Sequence, residues 1–343
     1  MTSRSLVSNS TARPRRITRH PDRRTASQRG RKLKFGLQLP NSLAGTDETA
    51  ILASARIAER FGMDSVWMFD HLFTPADLDS KYPYSRDGSY PLTADDPFFD
   101  PLGLYGVLAS ATEKIRIGTG VLIAAYRHPI VLAKILATIE RFAPGRVVLG
   151  VGAGWMREEF DAVGVDYERR GARLDEYIAA LRSIWSGETT GFDGDFYRWD
   201  AAGFQPAPTT PIPVLVGGHT DAALRRVAKL GDGWAITTGR GQGAGIDAVA
   251  ARIQDLKGLL DANGRSLDDL ELLYQTALWF SDSAHPKLPL TGPVDQIVES
   301  IGRLQDIGVT TIDLVIFGPT SLIEESIQKF AEEVQTQIGT RAI

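Results

Sequence analysis

The chain contains no cysteine, so it has no disulfide framework, no thiolate nucleophile and no sulfur-ligated metal. No apolar run reaches the roughly 18 residues that a membrane span needs. Histidine is scarce. The five stand at positions 20, 71, 128, 219 and 285, with no His-x-x-x-His pair and no tight Asp/Glu/His cluster, so the expected metal set is none. No G-x-S-x-G elbow is present, which removes the familiar route to an activated serine. No G-x-G-x-x-G opens a helix after the first strand, which argues against a dinucleotide-binding Rossmann unit.

The formal charge of −4 is unevenly spread. Residues 1–34 carry eleven Lys/Arg against Asp22 alone, which leaves the remainder at about −14. An acidic folded part has no nucleic-acid footprint. Residues 1–32 are rich in Arg, Ser and Thr and poor in apolar side chains. Such a segment cannot bury enough surface to offset its ordering entropy, so it is expected to be a disordered basic extension ahead of one domain, 33–343. It lacks the amphipathic period of a transit peptide and the apolar centre of a secretory signal.

From Leu33 onward the pattern is regular. Buried-type strands are predicted at Leu33–Leu39, Val66–Phe69, Lys114–Ala124, Arg146–Val151, Pro213–Val216, Gly233–Thr237, Leu270–Phe280 and Thr311–Phe317. Helical spacing follows each, as at Asp47–Arg60, with Asp47 as N-cap, and at Ile130–Phe142, opened by His128-Pro129. Tyr167–Trp185 and Leu322–Gln337 also read as helices, and Phe192–Phe204 reads as a small β excursion. Alternating strands and helices imply a parallel sheet, and eight such units in about 300 residues fit a closed (β/α)₈ TIM barrel. Two irregular stretches, Phe73–Asp100 and Ser281–Gly292, interrupt the pattern. Loops of such length in a compact domain are usually functional, and the first is expected to roof a site.

In a barrel the strand C-terminal ends share one mouth. That gathers Gln38, Asp70-His71, Thr119-Gly120-Val121, Gly152 to Trp155, Gly217-Gly218-His219 and Thr237-Thr238. Glycines inside the third strand suggest a bulge or a close approach by a ligand. Gly217-Gly218-His219-Thr220 precedes a helix whose first N–H groups are unpaired, which suits a phosphate as well as an ordinary glycine-rich turn. Trp155 and Trp67 are candidates to stack a ring system, and core packing is the alternative. His71 is the group at this mouth whose type exchanges protons near neutral pH, unless it is a satisfied surface histidine beside a turn-capping Asp70. Phosphate-binding glycines, aromatics and one histidine without metal ligands point to an organic cofactor.

Several segments together resemble the luciferase-like monooxygenase superfamily, and within it the coenzyme F420-dependent oxidoreductases. They are FGLQLP (35–40), GMDSVWMFDH (62–71), TEKIRIGTGVL (112–122), YRHPIVLAK (126–134), GRVVLGVGAGWMREEF (145–160), RRGARLDEYIAALRSIW (169–185) and VLVGGHTDAALRRVAKLGDGW (214–234). The resemblance implies a bacterial luciferase-like barrel with insertions, a deazaflavin (F420) or alternatively FMN as cofactor, and a small-molecule substrate. It places Asp70 and His71 beside the cofactor ring, with His71 catalytic. It also implies a strand bulge at Thr119-Gly120-Val121, with a non-prolyl cis peptide between Gly120 and Val121. Gly154 and Trp155 join the same pocket. Val216, Gly217, Gly218, His219 and Thr220 would take the cofactor's tail. Some relatives carry glutamates where Gln38 and Trp155 stand, so sugar-phosphate dehydrogenation on their model is not expected. A reduced-flavin monooxygenase and a non-catalytic flavin-binding barrel are the other readings. A cytoplasmic homodimer is expected, paired through a small-residue helix face at Ala53, Ala55 and Ala58, with neither nucleic acid nor membrane as partner.

Overall fold

The computed structural model describes residues 32–42, 46–237, 245–285 and 287–341. The proposed basic extension, Lys32 apart, and Thr238 lie outside them. Eight parallel strands close into a barrel: β1 (Lys34–Gln38), β2 (Ser65–Met68), β3 (Arg116–Thr119), β4 (Val147–Gly152), β5 (Val214–Gly217), β6 (Gly233–Thr237), β7 (Glu271–Ala277) and β8 (Thr311–Val315). Neighbours in sequence are neighbours around the ring, and β8 pairs with β1 at Lys34–Thr311 and Phe35–Ile312. All six residues of β4 are buried, as expected of a strand covered on both faces.

Helices α1 (Glu48–Arg60), α2 (Pro101–Ala111), α3 (Pro129–Phe142), α4 (Arg157–Ala162), α5 (Arg170–Trp185), α6 (Asp221–Leu230), α7 (Ile246–Ala262), α8 (Val294–Asp306) and α9 (Thr320–Lys329) follow the strands. Their starts are chemically marked. Asp47 caps α1 by accepting from the Ala50 amide at 2.7 Å, and Asp100 caps α2 by accepting from Leu102 at 2.7 Å, with Pro101 in the first turn. The His128 ring caps α3.

Inside the barrel Trp67, Val148, Leu215, Ala235 and Leu273 form one apolar layer. Trp67 fills space that two glycines leave open. A Cβ on Gly36 would lie 2.5 Å from its indole nitrogen, and one on Gly118 would lie 2.4 Å from its ring. Trp67 is fully buried and its indole N–H donates to Ser65 Oγ at 2.9 Å, so it is a core residue and no ring-stacking platform. Ala55 and Ala58 are also fully buried, packed with the main core, so the small-residue face of α1 seats that helix on the barrel.

Other boundaries shift. β3 stops at Thr119 and resumes as Leu122–Ile123 beyond a cis Gly120–Val121 bond. The long strand at 270–280 divides, its tail Trp279–Phe280 pairing with Thr291–Gly292. α5 begins only at Arg170, and the last helix passes through a π-helical stretch, Phe330–Gln335. The β excursion is a hairpin, Thr190–Asp193 with Arg198–Ala202.

Candidate active site

Just past the end of β2 stand a buried acid, Asp70, and a largely buried imidazole, His71, that face different partners. The Asp70 carboxylate receives both guanidinium nitrogens of Arg127, at 2.7 and 2.8 Å, and the Ile123 amide at 2.8 Å. Burial raises its pKa, while Arg127 and the amide oppose that rise; the two-pronged geometry is that of an ionised pair. Arg127 also reaches Asp100 at 2.6 Å. Asp70 therefore fastens the resumed segment of β3 beyond the bulge.

His71 Nδ1 lies 2.7 Å from Glu159 Oε2, on α4. That carboxylate is fully buried and also accepts from the Tyr126 hydroxyl at 2.7 Å and from the Leu72 amide. A carboxylate accepting from several donors is acceptor-only, so His71 Nδ1 donates in this bond and Nε2 is the nitrogen left over. Nε2 has no partner among the described residues. Around the ring stand Tyr90, Phe98 and Trp155, with centroids 5.5, 5.4 and 5.6 Å away and edge-to-face tilts.

The bulge forms the floor. A Cβ on Gly120 would lie 3.4 Å from Gln275 Nε2 and 3.9 Å from Gln38 Oε1. Gln275 Nε2 donates to Gln38 Oε1 at 3.0 Å and to Asp313 Oδ2 at 2.8 Å. Burial pushes Asp313 up to about 7, the Gln275 bond opposing it. Thr119 turns its hydroxyl to Gly150 O at 2.8 Å and is fully buried, so only its backbone borders the floor.

Opposite, His219 Nε2 meets Thr237 O at 2.7 Å, which makes Nε2 the donor and leaves Nδ1 a buried acceptor without a partner. Burial lowers the pKa of this imidazole, so it is neutral. Trp234 donates to Gly218 O at 2.9 Å, and Arg252 to His219 O at 3.0 Å, so the turn is held from two sides. Gly218 has φ +111°, a conformation that favours glycine, and a Cβ there would meet Ala223 at 3.1 Å. A Cβ on Gly217 would lie 2.9 Å from Val121 Cγ1. Thr220 caps α6 by accepting from Ala223 at 3.2 Å, which leaves the Asp221 and Ala222 amides at the helix start without a described acceptor.

A family profile described as luciferase-like monooxygenase matches residues 33–287. The chain belongs to the luciferase-like monooxygenase family. An uncharacterized protein of Mycobacterium tuberculosis H37Rv is 37% identical over 62% of this chain and 73% of the relative. The F420-dependent glucose-6-phosphate dehydrogenase of Nakamurella multipartita is 32% identical over 72% of this chain and 68% of the relative. Among solved structures, an F420-dependent secondary alcohol dehydrogenase with an F420–acetone adduct superposes with TM-score 0.71 at 18% identity, covering 90% of this chain and 99% of that one. A riboflavin lyase with modified FMN and riboflavin superposes with TM-score 0.71 at 16% identity, covering 91% and 92%. At those identities the two structures establish the barrel.

Within this luciferase-like barrel the sequence-predicted residues separate. His71, Trp155, Gly120, Val121, Gly217, Gly218 and His219 border the mouth. Val216 is fully buried and offers backbone alone. Gly154, φ +86°, packs against Phe160 and Ile123. Sequence reasoning missed Glu159, Tyr126, Arg127 and Asn41. The first three lie inside segments that carried the resemblance, so the signal was present but unassigned. Asn41 is fully buried and accepts from the Phe69 amide at 3.0 Å while donating to Phe69 O at 2.9 Å and Phe99 O at 3.1 Å. It thereby ties the far end of the 73–100 loop to β1 and β2. Among the described residues no group of three or more His, Asp or Glu could hold a metal ion.

Proposed function

We propose that this luciferase-like protein is a coenzyme F420-dependent oxidoreductase that moves hydride between the deazaflavin and a small organic substrate, with His71 exchanging the proton. The observation that carries this reading is the fixed orientation of His71: Nδ1 is held by buried Glu159 and Nε2 is free at the mouth. A histidine oriented by a carboxylate, with its second nitrogen open, is the arrangement that general acid–base work requires.

The residues fit a ring-bearing, anionic-tailed cofactor. Gly217 and Gly218 have no room for a side chain beside Val121 and Ala223, so the turn offers its backbone, and His219 Nδ1 is a buried acceptor without a partner. The Asp221 and Ala222 amides suit an anionic tail. Gln38 and Gln275 lie under the Gly120 backbone and give that wall a polar underside. Asp70 holds the bulge in place through Ile123 and Arg127; its carboxylate oxygens already have partners, so it acts on the cofactor site by position. When bound, the deazaflavin supplies two-electron hydride chemistry. The matching substrate proton is taken or given at His71 Nε2. Burial and Glu159 raise the pKa of Tyr90, beside the His71 ring, and of Tyr126, bonded to Glu159, so both stay neutral and serve as walls and anchors.

FMN in the same cradle, with the protein acting as a reduced-flavin monooxygenase, is the second reading, supported by the likeness to a barrel that holds modified FMN. The family's homodimer remains part of the proposal, without α1 as its argued contact. Absorbance titration of the purified protein with F420 and with FMN gives two dissociation constants. F420 is expected to bind more tightly. Binding of FMN alone moves the protein to the second reading, and binding of neither sinks both.

A further inference from the structure

The 73–100 stretch packs its aromatic side chains over the mouth. Tyr82 and Tyr90 each pack on Trp155, with centroids 5.2 and 5.3 Å apart, and on each other at 5.2 Å. Tyr90 and Phe98 stand against the His71 ring at 5.5 and 5.4 Å. Only 10% of the His71 side chain is exposed. Tyr84 packs on Tyr82 at 5.5 Å, and its phenol is buried enough that its pKa is raised. That phenol shares a hydrogen bond with the Thr237 side chain at the end of β6. The Thr237 carbonyl is the one that takes the His219 N–H. The stretch therefore reaches across the mouth, from His71 after β2 to the far side of the ring.

Its two ends are tied to the barrel. Glu158 accepts from the Asp79 and Ser80 amides at 2.9 and 3.0 Å, and Ser80 Oγ accepts from the Arg157 amide at 3.0 Å. At the other end Asn41 O accepts from the Phe99 amide at 2.9 Å, and Asn41 Nδ2 donates to Phe99 O at 3.1 Å. Between these anchors the stretch bonds to itself. Tyr82 N donates to Gly88 O at 2.9 Å, Asp87 accepts from the Ser89 amide and hydroxyl, and Asp96 from those of Thr93. A hollow of about 380 Å³ is lined by residues 74–94 alone, Lys81 and Asp87 among them, so it lies within the stretch. Among the described residues, Tyr84 to Thr237 is the one hydrogen bond that joins residues 81–98 to the rest of the protein.

Resting on the oxidoreductase reading, we infer that residues 81–98 are a lid, shut in this structure with Tyr84 latched to Thr237, which lifts from its anchors at Asp79-Ser80 and Phe99 to admit ligands to His71. A segment that carries its own hydrogen bonds and is held by ring contacts and one phenol opens without breaking the strand ladder beneath it. His71 is covered by the same rings that must move, so entry to the site and opening of the lid are one event.

Trypsin tests the latch with no ligand present, since Lys81 and Arg86 are exposed within the lid. Cleavage of the full chain after these two residues, followed by mass spectrometry, should be about fivefold faster in Tyr84→Phe and at least about tenfold faster in Tyr84→Ala, with cleavage elsewhere unchanged. The second measurement is stopped-flow mixing with FMN and with F420, read by their fluorescence. Gated entry predicts an association rate that levels off as ligand concentration rises, at a plateau that Tyr84→Phe raises about fivefold. Equal cleavage rates in the three proteins overturn the lid. So does an association rate that rises in proportion to concentration and is the same in Tyr84→Phe. Binding of neither ligand counts against the oxidoreductase reading, and the cleavage rates then decide the lid alone.

Discussion

Arg116, at the start of β3, grips Glu271, at the start of β7, with two bonds of 3.0 and 2.9 Å, and Thr311 at the start of β8 donates to the same carboxylate at 2.9 Å. Against the upward pull of burial, Arg116 and Lys34 hold the Glu271 carboxyl below its ordinary range. Close by, Glu59 accepts from the amides of Glu113, Lys114 and Ile115, and Arg146 donates to the carbonyls of Ala109, Thr112 and Ile115. The strand C-terminal ends differ. There Asp313 Oδ1, His219 Nδ1, Thr74 Oγ1 and Glu158 Oε2 are buried without partners. Unpartnered buried polar atoms cost stability and are normally avoided. These open atoms stand among closed pairs such as Asp70–Arg127 at the same end, and they mark it as the end prepared to bind, while the Arg116–Glu271 end holds the barrel.

The largest effect that would break this division is at His71. His71→Asn should lower kcat by roughly 10²–10⁴-fold if Nε2 exchanges the proton, with little change in melting temperature. A fall in cofactor affinity with kcat intact would reduce His71 to a ring contact. Steady-state rates at saturating cofactor decide between the two.

Asp313 tests the cost of the mouth. Its folded pKa, about 7, exceeds the ordinary carboxyl value of 3.8. The native state therefore keeps a proton that the unfolded chain releases, and wild-type stability falls as pH rises through that window. Asp313→Asn keeps an acceptor for Gln275 and removes the titration. Relative to wild type it should gain about 1.4 kcal/mol for each pH unit between the two pKa values, and nothing further above them. Urea unfolding at pH 5 and pH 8 measures the gap; an equal gap at both would show that Asp313 is ionised when folded.

A smaller loss is expected at the other end. Glu271→Ala leaves Arg116 unanswered. Glu271 is only partly shielded, with 17% of its side chain exposed, so the loss should be roughly 2–3 kcal/mol, below that of a fully buried pair. The F420 or FMN dissociation constant should not change. A weakened cofactor with intact stability would erase the distinction between the ends.

The alternation of buried strand runs with helix-period segments was legible because it is local: apolar runs at 66–69 and 146–151, and the cap at Asp47, depend on a few neighbouring residues. The glycines at 120 and 217–218 were legible for the same reason, since backbone freedom is a property of the residue. Partnership was not. Glu159 reaches His71 from 88 positions away, and Arg127 reaches Asp70 from 57. Nothing in either segment's period names the other. Trp67 shows the same limit, since its place inside the barrel follows from register with Gly36 and Gly118 on the neighbouring strands. So does α1, whose alanines suited a subunit contact as well as the barrel until the helix was docked. The sequence by itself determined that strands and helices alternate into a barrel and that histidine and glycines gather at its mouth. Only the tertiary structure decided which carboxylate orients that histidine and which aromatic rings cover it, because strand register and barrel closure select among partners that are equivalent by local pattern.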